Sequence, residues 1–452
     1  MAAIRSHRHT NISDTQPHRG QRPLPQKIER TNMSSKGFFN AFADVWMHEG
    51  VRTPMVDYCG ALGHISPTDL GIKAAREALK RAGIAASEIG SVITGNMAPG
   101  DFDQFVLPRH IGLYAGVPQE VSAIMVQRIC GTGFELFRQA GEQIEAGVCE
   151  AALVVGTESM TRNPIAAFDH RTGFKLGAPV GFKDFMWEAL KDPAAGINMI
   201  QTAENLAKKY SITREEVDQF ASESFAKAVA AQQAGFHAGE IVPVVTEKFE
   251  LEGYVSRGIK LQGKVTEVSA DTHPRISPAE VLGKLRSVYE GGVQTGGNSS
   301  ALVDAAAACV VTSGEFAKKL AKAQGKKPIA RVVAAAAVGV PPEIMGIGPA
   351  PAIRLLLERT GLKLSDIGRF EINEAQGAQT LAVAKELGLD VSKLNVNGGA
   401  IALGHPLAAT GVRLTITLAR ELQRSGLRYG ISSACVGGGQ GIALLIENPE
   451  AA

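Results

Sequence analysis

The chain has 452 residues, 45% of them hydrophobic and 20% charged, with a formal net charge of +2. This is ordinary globular composition with ample chain for a large core. The near-neutral balance leaves no electrostatic footprint for nucleic acid, and the longest apolar run, 332–340, is too short to cross a bilayer.

Residues 1–40 read as a disordered or extra N-terminal extension. Arg5, Arg8, Arg19, Arg22 and Arg30 face only Asp14 and Glu29, and there is no apolar core of a secretory signal. The Arg-rich, acid-poor composition leaves organellar import open, as does an over-long start with Met33 as the first residue. The pattern predicts a strand over 42–47, an amphipathic helix over 69–82 ended by Gly83, and a strand over 91–96. Residues 121–127 lead into a turn at Cys130, a helix follows over 134–146, and 151–155 is a buried strand. This β-α-β-α-β rhythm predicts a mixed, mostly parallel sheet covered by helices.

From about 162 to 300 the rhythm breaks, which reads as an inserted lid or loop region. Helices are expected over 196–210 and 213–233, the second opened by a capping box from Thr213 to Glu216. Beyond it the first pattern returns. At an offset of 278 residues Gly83 matches Gly361, Ser87 matches Ser365, Ile89 matches Ile367 and Gly90 matches Gly368. The chain is therefore expected to hold two similar α/β halves, 41–314 with the insertion and 325–449. A pseudo-twofold arrangement would bring the Cys130 turn and a loop at His405 to one face.

Three glycine-rich loops carry the chemistry. Arg128-Ile-Cys130-Gly-Thr-Gly133 opens a helix, where the dipole and free amides favour a thiolate, so Cys130 reads as a nucleophile with a lowered pKa. Asn397 to Gly411 holds His405 between Gly404 and Pro406, as a candidate to exchange a proton with Cys130. Cys435-Val-Gly-Gly-Gly-Gln-Gly441 offers a second thiol as acid or base and free amides for an oxyanion. Asn373-Glu374-Ala375 closes a strand of the second half; Asn373 is placed to hold a water or carbonyl, and Glu374 to brace the loops. The five cysteines, 59, 130, 149, 309 and 435, are odd in number and widely spaced, with no CxxC or CxxH pair. They read as reduced thiols in a reducing, cytoplasmic compartment, with no metal site.

With these residues in view the chain resembles the thiolases, acetyl-CoA acyltransferases, over residues 42–448. The resemblance also rests on Val51-Arg-Thr-Pro54, Gly156-Thr-Glu-Ser-Met160, Thr202-Ala-Glu-Asn-Leu-Ala207, Gly297-Asn-Ser-Ser300 and Gly346-Ile-Gly-Pro-Ala-Pro351. It implies a duplicated thiolase fold with a CoA-binding loop domain, a homodimer or homotetramer, and coenzyme A thioesters as substrates with no cofactor. It implies ping-pong Claisen chemistry in which Cys130 carries the acyl group, His405 activates it and Cys435 deprotonates acetyl-CoA. One oxyanion hole would use His405 and a water held by Asn373; the other would use the amides of Cys130 and Gly437. Ser300 and Arg275 resemble residues near the pantetheine and nucleotide ends of CoA, and Asn198, Met199 and Met345 fall among its binding positions.

Four residues depart from the family pattern. Asn198-Met199 stands where many members have His-Met, and Gln376 where Phe usually follows Asn-Glu-Ala. Thr132 replaces Ser and Ala408 replaces Gly. A ketoacyl synthase of the same fold is the close rival, but its decarboxylating chemistry wants a second His where this chain has Asn373 and Cys435. A non-catalytic acyl-CoA-binding protein is the more distant one, opposed by the intact Cys130, His405 and Cys435.

Overall fold

The computed structural model describes residues 36–451. One twelve-stranded sheet runs through both halves of the chain. Its main strands are β1 (Phe38–Ala41), β2 (Val45–Met47), β3 (Ser91–Gly95), β4 (Ala123–Val126), β5 (Ala151–Glu158), β6 (Val303–Ser313), β7 (Ala330–Gly339), β8 (Ile367–Ile372), β9 (Tyr429–Val436) and β10 (Gln440–Glu447). The spatial order is β8-β9-β10-β7-β2-β6-β5-β3-β4, with β1 laid against β7. The parallel pairs lie at the two ends, β3 with β4 and β5, and β8 with β9. The pairs between them are antiparallel, among them β5 with β6, β7 with β10 and β9 with β10.

The repeat is visible in the backbone. Helices α1 (Pro67–Ala82) and α5 (Pro349–Thr360) both end on a left-handed glycine, Gly83 at φ 70° and Gly361 at φ 75°. A short 3-10 turn follows each, at Ala86–Glu88 and Leu364–Asp366, and then β3 or β8. α1 starts two residues before the sequence pattern suggests, because Ser66 caps it by accepting from the Asp69 amide and Pro67 suits the first turn. The expected strand over 42–47 is broken, and β1 lies partly inside the stretch read as extension. The break has a physical cause: the amides of Ala43 and Asp44 donate to the Glu145 carboxylate at 2.7 and 3.0 Å instead of joining the ladder. The rest of that extension, residues 1–35, lies outside the described residues.

One helix from each half forms a central pair. α2 (Thr132–Glu145) and α7 (Leu407–Ser425) pack on each other, α2 against β3 and β5, and α7 against β5, β8 and β9. The core around them holds Phe134, Phe137, Val412, Leu414, Ile416, Ala307 of β6 and Ala330, Ala335 and Ala337 of β7, whose small side chains let the layers approach. The segment between β5 and β6 carries α3 (Met199–Tyr210) and α4 (Arg214–Gln233) with pairs of short strands. Thr213 and Glu216 form the expected capping box of α4 at 2.8 and 3.2 Å. Arg52, fully buried, anchors this insertion by bonding Asp271 at 2.6 and 2.8 Å and Glu240 at 2.6 Å. A further helix, α6 (Gly377–Leu387), follows the Asn373 loop.

Candidate active site

The starts of α2 and α7 meet at a pair of glycines. A Cβ on Gly133 would lie 2.5 Å from the Val412 nitrogen, and one on Gly411 would lie 2.4 Å from the Phe134 nitrogen. Only glycine permits that approach. It brings together the turns that precede the two helices, one carrying Cys130 and the other His405.

Cys130 sits in a 3-10 turn, Ile129–Gly131, entered through Ile129 at φ 46°. Thr132 keeps the hydroxyl of the Ser it replaces and uses it here. Its Oγ1 accepts from the Arg128 amide at 2.8 Å and donates to the Ile129 carbonyl at 2.7 Å. Met160, Met186 and Leu407 wall the cysteine in. Burial pushes its thiol up to about 11, outweighing the nearby backbone amides of Gly437 and of Cys130 itself, which favour the thiolate. The lowered pKa expected from the helix start is therefore corrected: desolvation at the buried turn wins.

His405 is also buried. Its backbone N–H donates to Ala301 O at 3.0 Å, and its Nδ1 lies 2.6 Å from Thr410 Oγ1. Nε2 has no partner. Burial, then the Arg413 guanidinium, hold the imidazole far below the usual histidine range, at about 3, so it is neutral.

The Asn373 loop reaches the same place from the second half. The Asn373 backbone is tied to Ser433 of β9 at 2.9 Å, while both atoms of its side-chain amide are buried without a partner. Such a group calls for a ligand or an ordered water. Cys435 near the end of β9 is fully buried, raised above the usual thiol range by desolvation and by Cys130. It packs against Ala375, Met345 and Met199. Glu374 braces the loops, accepting from Asn395 Nδ2 at 2.7 Å, Ser224 Oγ at 2.7 Å and the Ile401 amide at 3.1 Å.

Ser300 lies between the two loops, its amide donating to Ala375 O at 3.1 Å, and its neighbour Ala301 accepts from His405. Arg275 is exposed, with its guanidinium 5.1 Å from the Phe225 ring centroid on α4. Asn198 is committed elsewhere: its Oδ1 caps α3 at the Gln201 amide, 3.0 Å, and its Nδ2 donates to Tyr289 Oη at 2.7 Å. The structure thus gathers Cys130, His405, Asn373, Cys435, Gly437, Met199, Met345 and Ser300, and leaves Asn198 and Arg275 at the margin. Among the described residues no cluster of three or more His, Cys, Asp or Glu side chains is placed to hold a metal ion.

Two further residues, Glu158 and Thr410, support the site without a role expected from the sequence. Glu158 at the end of β5 accepts from the amides of Met97, Ala98 and Ala408, at 3.1 Å each, and from Asn96 Nδ2 at 3.2 Å, tying the His405 loop to the first half. Thr410 holds the histidine ring; the signal was a hydroxyl in the first turn after Gly-His-Pro.

Comparison with known proteins identifies the family and the fold. The family model of the thiolase N-terminal domain matches residues 45–315 and that of the thiolase C-terminal domain matches residues 326–448. The chain is 42% identical over 399 residues to the mitochondrial 3-ketoacyl-CoA thiolase of Bos taurus, covering 88% of this chain and 96% of that protein. It is 40% identical over 403 residues to an acetyl-CoA acetyltransferase of Syntrophomonas wolfei, covering 88% and 97%. The crystal structure of the Bacillus anthracis acetyl-CoA acetyltransferase superposes with a TM-score of 0.83 at 41% identity, covering 90% of this chain and 100% of that one. That of the human mitochondrial 3-ketoacyl-CoA thiolase in complex with CoA does so at 0.82 and 39%, covering 90% and 98%. Fold and likeness together define an acyltransferase. More narrowly, the chain belongs to the thiolase family.

Proposed function

We propose that the protein condenses acyl-CoA with acetyl-CoA, and in reverse cleaves 3-ketoacyl-CoA with CoA, through an acyl group carried on Cys130. The observation that carries this reading is the Cys130 sulfur beneath the amides of Cys130 and Gly437, in a site where the buried His405 Nε2 and Asn373 amide have no partner.

His405 Nε2 takes the Cys130 proton, the thiolate attacks the thioester carbonyl, and CoA leaves as its sulfur regains a proton from His405. Acetyl-CoA then enters, Cys435 gives its own proton to solvent and its thiolate removes the α proton, and the carbanion attacks the acyl thioester and expels the Cys130 thiolate, which takes a proton back from solvent. The amides of Cys130 and Gly437 suit one developing oxyanion, and His405 with Asn373 suits the other. With the thiol raised and the imidazole lowered by burial, the resting Cys130 and His405 are both neutral. Ser300 suits the pantetheine arm and Arg275 a nucleotide phosphate. Met199, Met345 and Ala375 suit the acyl chain, and Gln376 stands at its edge. The CoA complex of the human relative supports the same class of ligand.

A second copy of the chain suits the outer edge of β4, which among the described residues pairs only with β3 and leaves Ile124 exposed. The five cysteines are all free, which supports a reducing compartment. The test is a thiolysis assay with CoA and a series of 3-ketoacyl-CoAs starting from acetoacetyl-CoA. Acetyl-CoA formation is the expected result; no turnover at any chain length overturns the reading.

A further inference from the structure

The two ring nitrogens of His405 have unequal surroundings. Nδ1 faces Thr410 Oγ1 at 2.6 Å, and Nε2 is buried with no partner. The backbone pins the residue on both sides, N–H to Ala301 O at 3.0 Å and carbonyl from the Leu407 amide at 2.9 Å. Thr410 is itself fully buried in the first turn of α7. Three residues on stands Arg413, fully buried, its side-chain nitrogens without hydrogen bonds and its Nη1 3.7 Å from Glu371.

The chemical nature of the Nδ1 partner decides what the ring can do. A carboxylate or carbonyl there only accepts, which fixes a proton on Nδ1 and favours the imidazolium. A hydroxyl donates or accepts by turning about one bond. The two tasks proposed for His405 need opposite states at Nε2. It must be bare to take the Cys130 proton, and it must carry hydrogen to donate to a thioester oxygen. With hydrogen on Nδ1, Thr410 accepts and Nε2 is bare. With Nδ1 bare, Thr410 donates and Nε2 carries the hydrogen.

We propose that Thr410 is a positioning residue that serves both neutral tautomers of His405, so that one imidazole acts as base in acyl transfer and as hydrogen-bond donor in the carbon–carbon step. This rests on the reading that His405 acts on Cys130 and on a thioester oxygen. In acyl transfer Nε2 gains the Cys130 proton and returns one to the departing CoA sulfur. The change of tautomer removes one proton from Nδ1 and adds one to Nε2, by exchange with solvent while the site is open between the two thioesters. Burial, and then the Arg413 guanidinium, oppose a lasting imidazolium, which leaves the neutral tautomers as the working states.

The test compares Thr410→Val, which keeps the branched shape and removes the hydroxyl, with Thr410→Ser, which keeps the hydroxyl and removes the methyl. Acetyl transfer from acetyl-CoA to Cys130 is followed by rapid-quench mass spectrometry, and thiolysis of acetoacetyl-CoA in the steady state. Thr410→Val should slow both by about tenfold or more, part of the roughly 10²–10⁴-fold that positioned proton transfer supplies. Thr410→Ser should restore most of the rate, and CoA affinity should be the same in both. Two results overturn the proposal: Thr410→Val with wild-type rates, or Thr410→Ser as slow as Thr410→Val, which would mark methyl packing as the cause. Should Thr410→Val fail to fold, Thr410→Ala against Thr410→Ser makes the same comparison. Wild-type enzyme that never acetylates Cys130 would instead overturn the underlying reading.

Discussion

Replacing Gln376 by Phe tests how the acyl pocket is built. Gln376 is 8% exposed and stands just before α6 without capping it through its side chain; its Oε1 accepts from Ser299 Oγ at 2.6 Å. Ser299 has a second acceptor, Thr295 O at 2.7 Å, so its hydroxyl is not stranded by the change. The loss is then one neutral hydrogen bond, about 1 kcal/mol. Ala375, next in the chain, packs on Cys435 with Met345 and Met199. A ring at 376 that adds roughly 40 Å² of apolar contact to a chain long enough to reach it contributes about 1 kcal/mol. The ratio of kcat/KM between a six-carbon 3-ketoacyl-CoA and acetoacetyl-CoA should therefore move about fivefold toward the longer substrate, the worth of one or two methylenes. Steady-state thiolysis of both substrates by both proteins measures it. An unchanged ratio in a folded variant would show that residue 376 points away from the acyl chain.

Cys435→Ala should still accept an acetyl group on Cys130 but lose exchange of acetyl-CoA methyl protons with deuterated solvent; exchange near the wild-type rate would identify another base. The Cys130 thiol, held at about 11 by burial, should be alkylated by iodoacetamide roughly tenfold faster per pH unit from 7 to 9, because below its pKa the thiolate fraction rises tenfold per unit. Peptide-level mass spectrometry separates it from the exposed Cys59, and a rate already flat at pH 7 would mean a stabilised thiolate. Glu374→Ala removes the acceptor of three buried donors, each about 1–3 kcal/mol if left unsatisfied, and should lower the melting temperature by several degrees. An unaltered melting temperature would show that Glu374 does not brace these loops.

Much of the fold is legible in the chain because its signals are local. Gly83 and Gly361 mark helix ends that the structure repeats, and Thr213 with Glu216 announces α4. What escapes is set by distant partners. The break at Ala43 and Asp44 is made by Glu145, about a hundred residues away. The antiparallel centre of the sheet depends on how β5 meets β6 and β7 meets β10, and nothing within a strand records that. Cys130 illustrates a balance that sequence cannot weigh: the amides at its turn favour the thiolate, and the methionines and leucine around it tip the outcome the other way. Asn198 carries an amide suited to a pocket, yet its capping bond to Gln201 and its bond to Tyr289 use it up.

The central claim is that Cys130 carries the acyl group, and acetylation of the intact protein tests it most directly. After mixing with acetyl-CoA and rapid acid quench, peptide mapping should find one acetyl group, on Cys130, and none in Cys130→Ser, which should also lose almost all turnover. An acetyl group on a different cysteine, or full thiolysis activity in Cys130→Ser, would contradict the account.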